Sequence, residues 1–335
     1  MKAAVLGAGS WGTTFAQVLC DADTPAALWA RQADVASAIT EIHENPRYLP
    51  GLTLPPTLTA TTDVAAALDG ASLVVLAIPA QTLRENLTAW APLIPDGALL
   101  VSLMKGIELG SHKRMTEVIL EVLGVPPARV AVVSGPNLAR EIAERQVAAS
   151  VVACSDELSA HLLQRACHTE YFRPYWNTDV VGCELGGTVK NIIALAVGIA
   201  VALGLGDNTK AMLITRGLAE MARVGEAVGA DPWTFAGLSG MGDLVATCSS
   251  PLSRNRRFGE YLGQGLDAAQ AKELTSQTAE GVTSYAPVLE LARKFGVEMP
   301  ITEVVGAVIT GRLSVSDAGA VLMSRSAKPE WYGTE

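Results

Sequence analysis

A chain of 335 residues is too long for one ordinary core, and two domains of about 100–200 residues each are expected. Nearly half of it is apolar and little is aromatic, which supplies an aliphatic core and excludes a disordered chain. The formal net charge of −9 excludes nucleic-acid binding through a broad basic surface. A local cluster of Lys and Arg inside an acidic shell still suits a small anion.

Cys20, Cys154, Cys167, Cys183 and Cys248 lie far apart without a CxxC pair, so reduced, buried thiols are expected rather than a zinc site or disulfides. A strand directly after Met1 leaves no room for a signal peptide. The most apolar run, residues 192–205, is shorter than the about 20 residues of a membrane span and reads as a buried helix. The expectation is a cytoplasmic protein without membrane insertion.

Residues 2–6 read as a strand running into Gly7-Ala8-Gly9-Ser10-Trp11-Gly12, with a helix over 13–20. In a GxGxxG turn of this kind Gly7 allows the tight turn and Gly9 lets the backbone approach a pyrophosphate. Gly12 lets the helix pack closely on the strand. The first N–H groups of that helix then face an anion, which makes this a dinucleotide site. The second strand, 26–30, is followed by Arg31 where an NAD site usually carries an acidic residue. Arg31 suits a 2′-phosphate, so NADP(H) is preferred and NAD(H) possible. Asp34 is expected to cap a helix over 35–44.

Further strands are expected at 58–61, 73–78, 98–103 and 130–133, with helices at 81–91 and 116–123. Alternating strands and helices with continuously apolar strands indicate a doubly wound parallel sheet covered on both faces. Ligands of such sheets bind at the carboxyl ends of strands. Lys105-Gly106-Ile107 follows one strand, and Gly135-Pro136-Asn137-Leu138-Ala139 follows another. Runs at 148–153 and 171–176 flank a helix over 156–167 and are expected to extend the sheet as antiparallel edge strands.

Strand signals vanish after about residue 178. Helical patterns fill 182–203, 208–228, 254–262, 283–295, 301–310 and 315–323. The expected domains are therefore a Rossmann-type domain over 1–177 and an all-α domain over 178–335. Lys190 and Asn191 lie on the apolar first helix of the second domain, where a buried lysine is costly without a task. Burial lowers its pKa, as proton transfer requires. Asp243 ends a Gly-rich turn that opens another helix, as a cap or as the partner of a lysine. Ser253, Arg254, Asn255, Arg256 and Arg257 follow at a helix start, a phosphate-binding constellation. Glu280 precedes a further helix, for capping or a cofactor ribose. No histidine spacing calls for a metal.

Together these pieces resemble NAD(P)-dependent glycerol-3-phosphate dehydrogenase of the bacterial type, over residues 2–325. The resemblance rests on GAGSWG at 7–12, KGI at 105–107, GPNLA at 135–139, TVKN at 188–191, GLSGMGDL at 237–244, SRNRRFG at 253–259 and AEGV at 279–282. It implies a two-domain, 6-phosphogluconate-dehydrogenase-like fold and reduction of dihydroxyacetone phosphate to sn-glycerol 3-phosphate for phospholipid synthesis. It implies that Lys190 is the proton donor and acceptor, that Lys105 contacts substrate and cofactor, and that Gly135, Asn137, Asp243, Ser253, Arg254 and Asn255 line the substrate pocket. Ser10, Trp11, Arg31, Ala139, Arg254 and Glu280 would contact the cofactor. Relatives often carry Ser or Thr where Asn137 stands, and an aliphatic residue where Thr278 stands. A homodimer is the implied assembly. Two other readings remain: another two-domain dehydrogenase acting on a β-hydroxy acid or ketopantoate-like substrate, and a dinucleotide-sensing binding protein. The first has no reason for the cluster at 253–257, and the second has none for Lys105 and Lys190.

Overall fold

The continuously apolar runs of the first half become strands buried on both faces. The strands of this computed structural model are β1 (Ala3–Leu6), β2 (Ala26–Trp29), β3 (Glu44–Asn45), β4 (Leu49–Thr53), β5 (Thr59–Thr61), β6 (Leu73–Leu76), β7 (Leu99–Ser102), β8 (Val130–Ser134), β9 (Ala148–Cys154) and β10 (Phe172–Asn177). It describes residues 1–275, 279–324, 326 and 329–330. Two compact units emerge, Met1–Met104 with Lys113–Cys183, and Lys105–His112 with Glu184–Glu335.

In the first unit β3 and β4 form a separate antiparallel pair, and the other strands form one sheet in the order β10-β9-β8-β7-β6-β1-β2-β5. β1 pairs in parallel with both β2 and β6, so the winding reverses at β1. That switch point is where such sheets take ligands. Strand residues alternate between two apolar layers: Ala3, Val5, Leu73 and Val75 face one, while Ala4, Leu6, Val74 and Leu76 face the other. The first layer is closed by α1 (Ser10–Asp21), α2 (Ala33–Ser37), α6 (Ala139–Ala143) and α7 (Glu157–Ala166). α3 (Val64–Leu68), α4 (Leu83–Trp90) and α5 (Met115–Leu123) close the second.

Three local expectations need correction. β9 is antiparallel to β8 but lies inside the sheet, and β10 runs parallel to β9 as the only edge of the two. The link from β8 carries one short helix, α6, and brings β9 back antiparallel beside β8. Asp34 does not cap its helix: the cap position is Gln32, and Asp34 falls in the first turn. The helix expected over 35–44 also breaks, passing from α2 into a π-turn over Ala38–Ile42.

The second unit has no strand among its described residues. It contains most of α8 (Val180–Ala202), then α9 (Asp207–Ala227), α10 (Pro232–Ala236), α11 (Asp243–Ser249), α12 (Arg254–Gly263), α13 (Ala268–Leu274), α14 (Glu280–Lys294), α15 (Pro300–Ile309) and α16 (Val315–Met323). α8 is long and apolar enough to cross a membrane, yet it is 89% buried within the protein. Consecutive residues Val189 to Leu195 are all buried, the signature of a helix surrounded by others. Gly259 of α12 makes this possible, since a Cβ there would strike the Leu195 backbone. A second internal support comes from Glu220 of α9, which accepts the Ile301 N–H at 2.6 Å and the Thr302 hydroxyl at 3.1 Å and so caps α15. Burial raises its carboxyl pKa to about 7 against the lowering pull of those bonds.

Residues Lys105–His112 group with the helical unit, although the sequence places them in the first domain. Side-chain ties explain the difference: Lys105 bonds Asp243 at the start of α11, and His112 Nε2 meets Glu290 of α14 at 2.9 Å.

Candidate functional site

The dinucleotide turn occupies the switch point of the first unit. Gly7 has φ +130°, and a Cβ there would lie 2.7 Å from the Ala77 carbonyl carbon, just past β6. A Cβ on Gly12 would strike the Gly7 carbonyl oxygen and come within 2.9 Å of the Ala77 side chain. Over Gly9 the space is open, with nothing within 4 Å. Gly9 is also the N-cap of α1 and offers no side-chain cap, so the first N–H groups of the helix remain for an anion. Ser10 Oγ donates to the Tyr48 carbonyl at 3.0 Å. The Trp11 ring packs on Phe15 and Phe172.

Other expected residues of this unit sit at strand ends. Arg31 is exposed shortly after β2. Gly135 follows β8 with φ +137°, and a Cβ there would lie 3.1 Å from the Ser150 Cα. Ala139 opens α6, and its carbonyl accepts the Thr14 hydroxyl at 3.1 Å. Trp11 Nε1 and both amide atoms of Asn137 are buried without a partner among the described residues. Buried polar groups seldom stay unpaired, so the orphaned Trp11 Nε1, the open Gly9 and the uncapped helix fit a bound dinucleotide.

In the second unit the sequence-distant lysines share one carboxylate. Lys190 Nζ donates to Asp243 Oδ1 at 2.7 Å and to the Thr247 hydroxyl at 2.6 Å. Lys105 Nζ donates to Asp243 Oδ2 at 2.5 Å. Asp243 is 1% exposed and Lys190 7%. Burial lowers the Lys190 pKa to about 8; the Asp243 charge opposes that shift, and Lys105 adds to it. Cys248, close to the same charges, is pushed up to about 12 by burial and is an inert thiol at neutral pH.

Beside them runs an amide relay. Asn255 Nδ2 donates to Asn191 Oδ1 at 2.8 Å, and Asn255 Oδ1 accepts the Gly281 N–H at 2.9 Å, next to Glu280 in the first turn of α14. Ser253 caps α12 by accepting the Arg256 N–H at 3.2 Å. The expected arginine constellation resolves into separate parts. Arg256 turns to Glu260 and the Ser249 carbonyl, and Arg257 reaches Tyr261. Arg254 alone remains at the helix start, where it feels the Glu280 charge.

Thr247 escapes sequence reading because α11 is hidden behind the Gly-rich run that becomes a π-turn, Leu238–Gly242. Its one signal is the i,i+4 spacing from Asp243, which puts both on one helix face. Thr278 lies outside the described residues. No group of three or more His, Cys, Asp or Glu suited to a metal occurs among the described residues.

The comparisons with known proteins point one way. Residues 2–160 match the model of the NAD-dependent glycerol-3-phosphate dehydrogenase N-terminus, and residues 179–320 that of its C-terminus. The chain is 62% identical over 330 residues to glycerol-3-phosphate dehydrogenase (NAD(P)+) of Streptomyces griseus, covering 98% of each. It is also 62% identical to the enzyme of that name from Thermobifida fusca, covering 99% of each. The solved structure of glycerol-3-phosphate dehydrogenase from Coxiella burnetii superposes with a TM-score of 0.92 at 38% identity, covering 97% of this chain and 99% of that one. Matches to both halves, in chain order and at this identity, establish that the chain belongs to the NAD-dependent glycerol-3-phosphate dehydrogenase family.

Proposed function

We propose that the chain reduces dihydroxyacetone phosphate to sn-glycerol 3-phosphate with NAD(P)H, reversibly, and so provides the backbone for glycerophospholipids. The observation that carries this reading is the pair of lysines on one buried carboxylate. Bound NAD(P)H supplies the hydride that reaches the carbonyl carbon. As it arrives, the carbonyl oxygen gathers negative charge, and the Lys190 ammonium stabilises that charge and then gives up its proton. A pKa near 8 leaves Lys190 protonated at neutral pH yet able to release the proton. Asp243 and Thr247 aim Lys190, and Lys105 contributes a second cation.

The phosphate, remote from the reacting carbon, would be held by Ser253, Arg254, Asn255 and the N-terminus of α12, so that its binding energy orients the carbonyl. The family resemblance also assigns substrate contacts to Gly135 and Asn137. The cofactor falls to Gly7, Gly9, Ser10, Trp11, Gly12, Arg31 and Ala139, with Lys105, Arg254 and Glu280 as the family resemblance suggests. Arg31 supports a preference for NADP(H). The first unit is thus assigned to the dinucleotide and the second to substrate and catalysis. A cytoplasmic homodimer is part of the proposal; exposed Leu203 and Leu205 at the α8–α9 turn and Met212 in α9 support a partner surface.

One panel tests the proposal: oxidation of NADPH and NADH is followed with dihydroxyacetone phosphate and with ketopantoate. Turnover should appear with the phosphorylated ketone, faster with NADPH. Turnover with ketopantoate alone would replace this reading with a carboxylate-directed one.

A further inference from the structure

A buried asparagine outside all the sequence motifs reaches the dinucleotide turn. Asn45 closes β3 with no exposed surface. Its Nδ2 donates to the Ala8 carbonyl at 3.1 Å and to the Thr13 hydroxyl at 2.9 Å, while its Oδ1 accepts the Tyr48 N–H at 3.3 Å. Both amide hydrogens are therefore engaged. The Ser10 hydroxyl donates to the Tyr48 carbonyl, so residues 45–48 brace the turn at Ala8, Ser10 and Thr13.

Uncommon backbone puts Asn45 there. The π-turn Ala38–Ile42 precedes it, His43 is left-handed with φ 54°, and the β3–β4 register is irregular between Glu44 and Asn45. Such π-turns and bulges re-aim side chains near functional sites. Leu49 and Leu54, both buried, fix the returning strand.

The consequence is geometric. The Ala8 C=O and the Gly9 N–H belong to one planar trans peptide and point in opposite directions. Holding the Ala8 oxygen on Asn45 holds the Gly9 N–H on the far side. Glycines on both sides of Ala8 leave that peptide easily rotated, so it needs a fixed partner. We infer that Asn45 is a positioning residue for the cofactor: it sets the Ala8–Gly9 peptide so that the Gly9 N–H, and not a carbonyl oxygen, faces the pyrophosphate. The inference rests on the dinucleotide reading of the turn.

Asn45→Ala and Asn45→Asp both remove the donors, and binding of NADPH is read by tryptophan quenching. The dissociation constant should rise about 10–100-fold in both. The kcat at saturating cofactor and the KM for dihydroxyacetone phosphate should stay within about twofold. The melting temperature without cofactor reports packing separately. A lowered melting temperature with unchanged NADPH affinity overturns the inference, because that is what a merely structural role gives. Loss in Asn45→Asp alone also overturns it, since added charge would then be the cause. Thr13→Val removes the other partner of Nδ2 and should weaken binding less than about threefold; a loss equal to that of Asn45→Ala again overturns it. If Asn45→Ala does not fold, Asn45→Ser carries the same expectation. A wild-type chain that binds neither NADPH nor NADH would instead remove the dinucleotide reading itself.

Discussion

The turn over residues 7–12 holds no charged side chain, whereas the cluster of Lys105, Lys190 and Asp243 consists of ions held out of water. The turn works through backbone N–H groups and through the absence of side-chain atoms, so its residues are chosen for shape. A Cβ on Gly7 or Gly12 would meet backbone, and one on Gly9 would fill the open space left for the ligand. The cluster is chosen for charge: two cations on one anion leave a net positive charge, which suits an oxygen turning negative. Removal of the carboxylate takes from both lysines the anion that they share. On the proposed function, shape governs affinity for the cofactor and charge governs the rate of the step, so the two regions should fail separately.

The largest expected effect is in the cluster. Lys190→Ala should lower kcat about 10³–10⁴-fold, because both the proton and the charge beside the oxygen are lost. NADPH affinity should stay at the wild-type value by fluorescence titration. If affinity fell together with turnover, the division between shape and charge would not hold.

Asp243→Asn comes next, with kcat lower by about 10²–10³-fold. Its diagnostic lies in the pH profile. The Asp243 charge raises the Lys190 pKa against burial, so without it the fall in reduction rate should begin at lower pH. A profile with unchanged midpoint would mean that Asp243 is a structural pair only.

Gly12→Ala tests the other side of the comparison. The forced shift against Gly7 should cost about 1–3 kcal/mol in stability, seen as a lower denaturation midpoint. NADPH affinity should weaken about 10–100-fold, and kcat at saturating cofactor should remain. A kcat loss without an affinity loss would show that the turn does more than hold the cofactor.

The wild-type pH dependence follows from Lys190 alone. With a pKa of about 8, the ammonium needed for reduction is present below that pH. The reduction rate should be level below pH 8 and fall about tenfold per unit above it, while oxidation rises through the same range. Stability carries the same signature. The folded pKa is depressed from 10.5 to about 8, so between those values the unfolded chain holds more protons and Lys190 makes stability rise with pH. In Lys190→Met that rise should be absent from urea unfolding of the apo chain.

Shape was the more legible of the two in the sequence, and the reason is physical. A pyrophosphate turn needs glycines at fixed spacing between a strand and a helix, all within one short stretch. Strands such as β1 and β6 were readable for a similar reason, because burial on both faces demands unbroken apolar runs. Charge is assembled from afar: Lys105, Lys190 and Asp243 come together through the fold, and the residues alone suggested for Asp243 a lysine partner or a cap without saying which lysine. Thr247 and Asn45 had no pattern to announce them. Asn45 reaches Ala8 across 37 positions, from a hairpin whose Asn-Pro-Arg-Tyr-Leu-Pro run alternates neither as a strand nor as a helix. The place of β9 inside the sheet was hidden as well, since periodicity fixes which face is buried but not which strands flank it.

The smallest expected effect sharpens the comparison at its one charged exception. Arg31 is exposed, and a solvated cation contributes little unless its partner is held in place. A 2′-phosphate fixed by the turn is such a partner, and the charge-assisted bond it forms is worth about 1.5–3 kcal/mol. Arg31→Glu should therefore lower kcat/KM for NADPH about 10–150-fold, through KM and not kcat, and leave NADH nearly unchanged. The loss should shrink as salt rises, because an exposed pair is screened. Equal losses with the two cofactors would mean that Arg31 supports the strand end and does not read the phosphate.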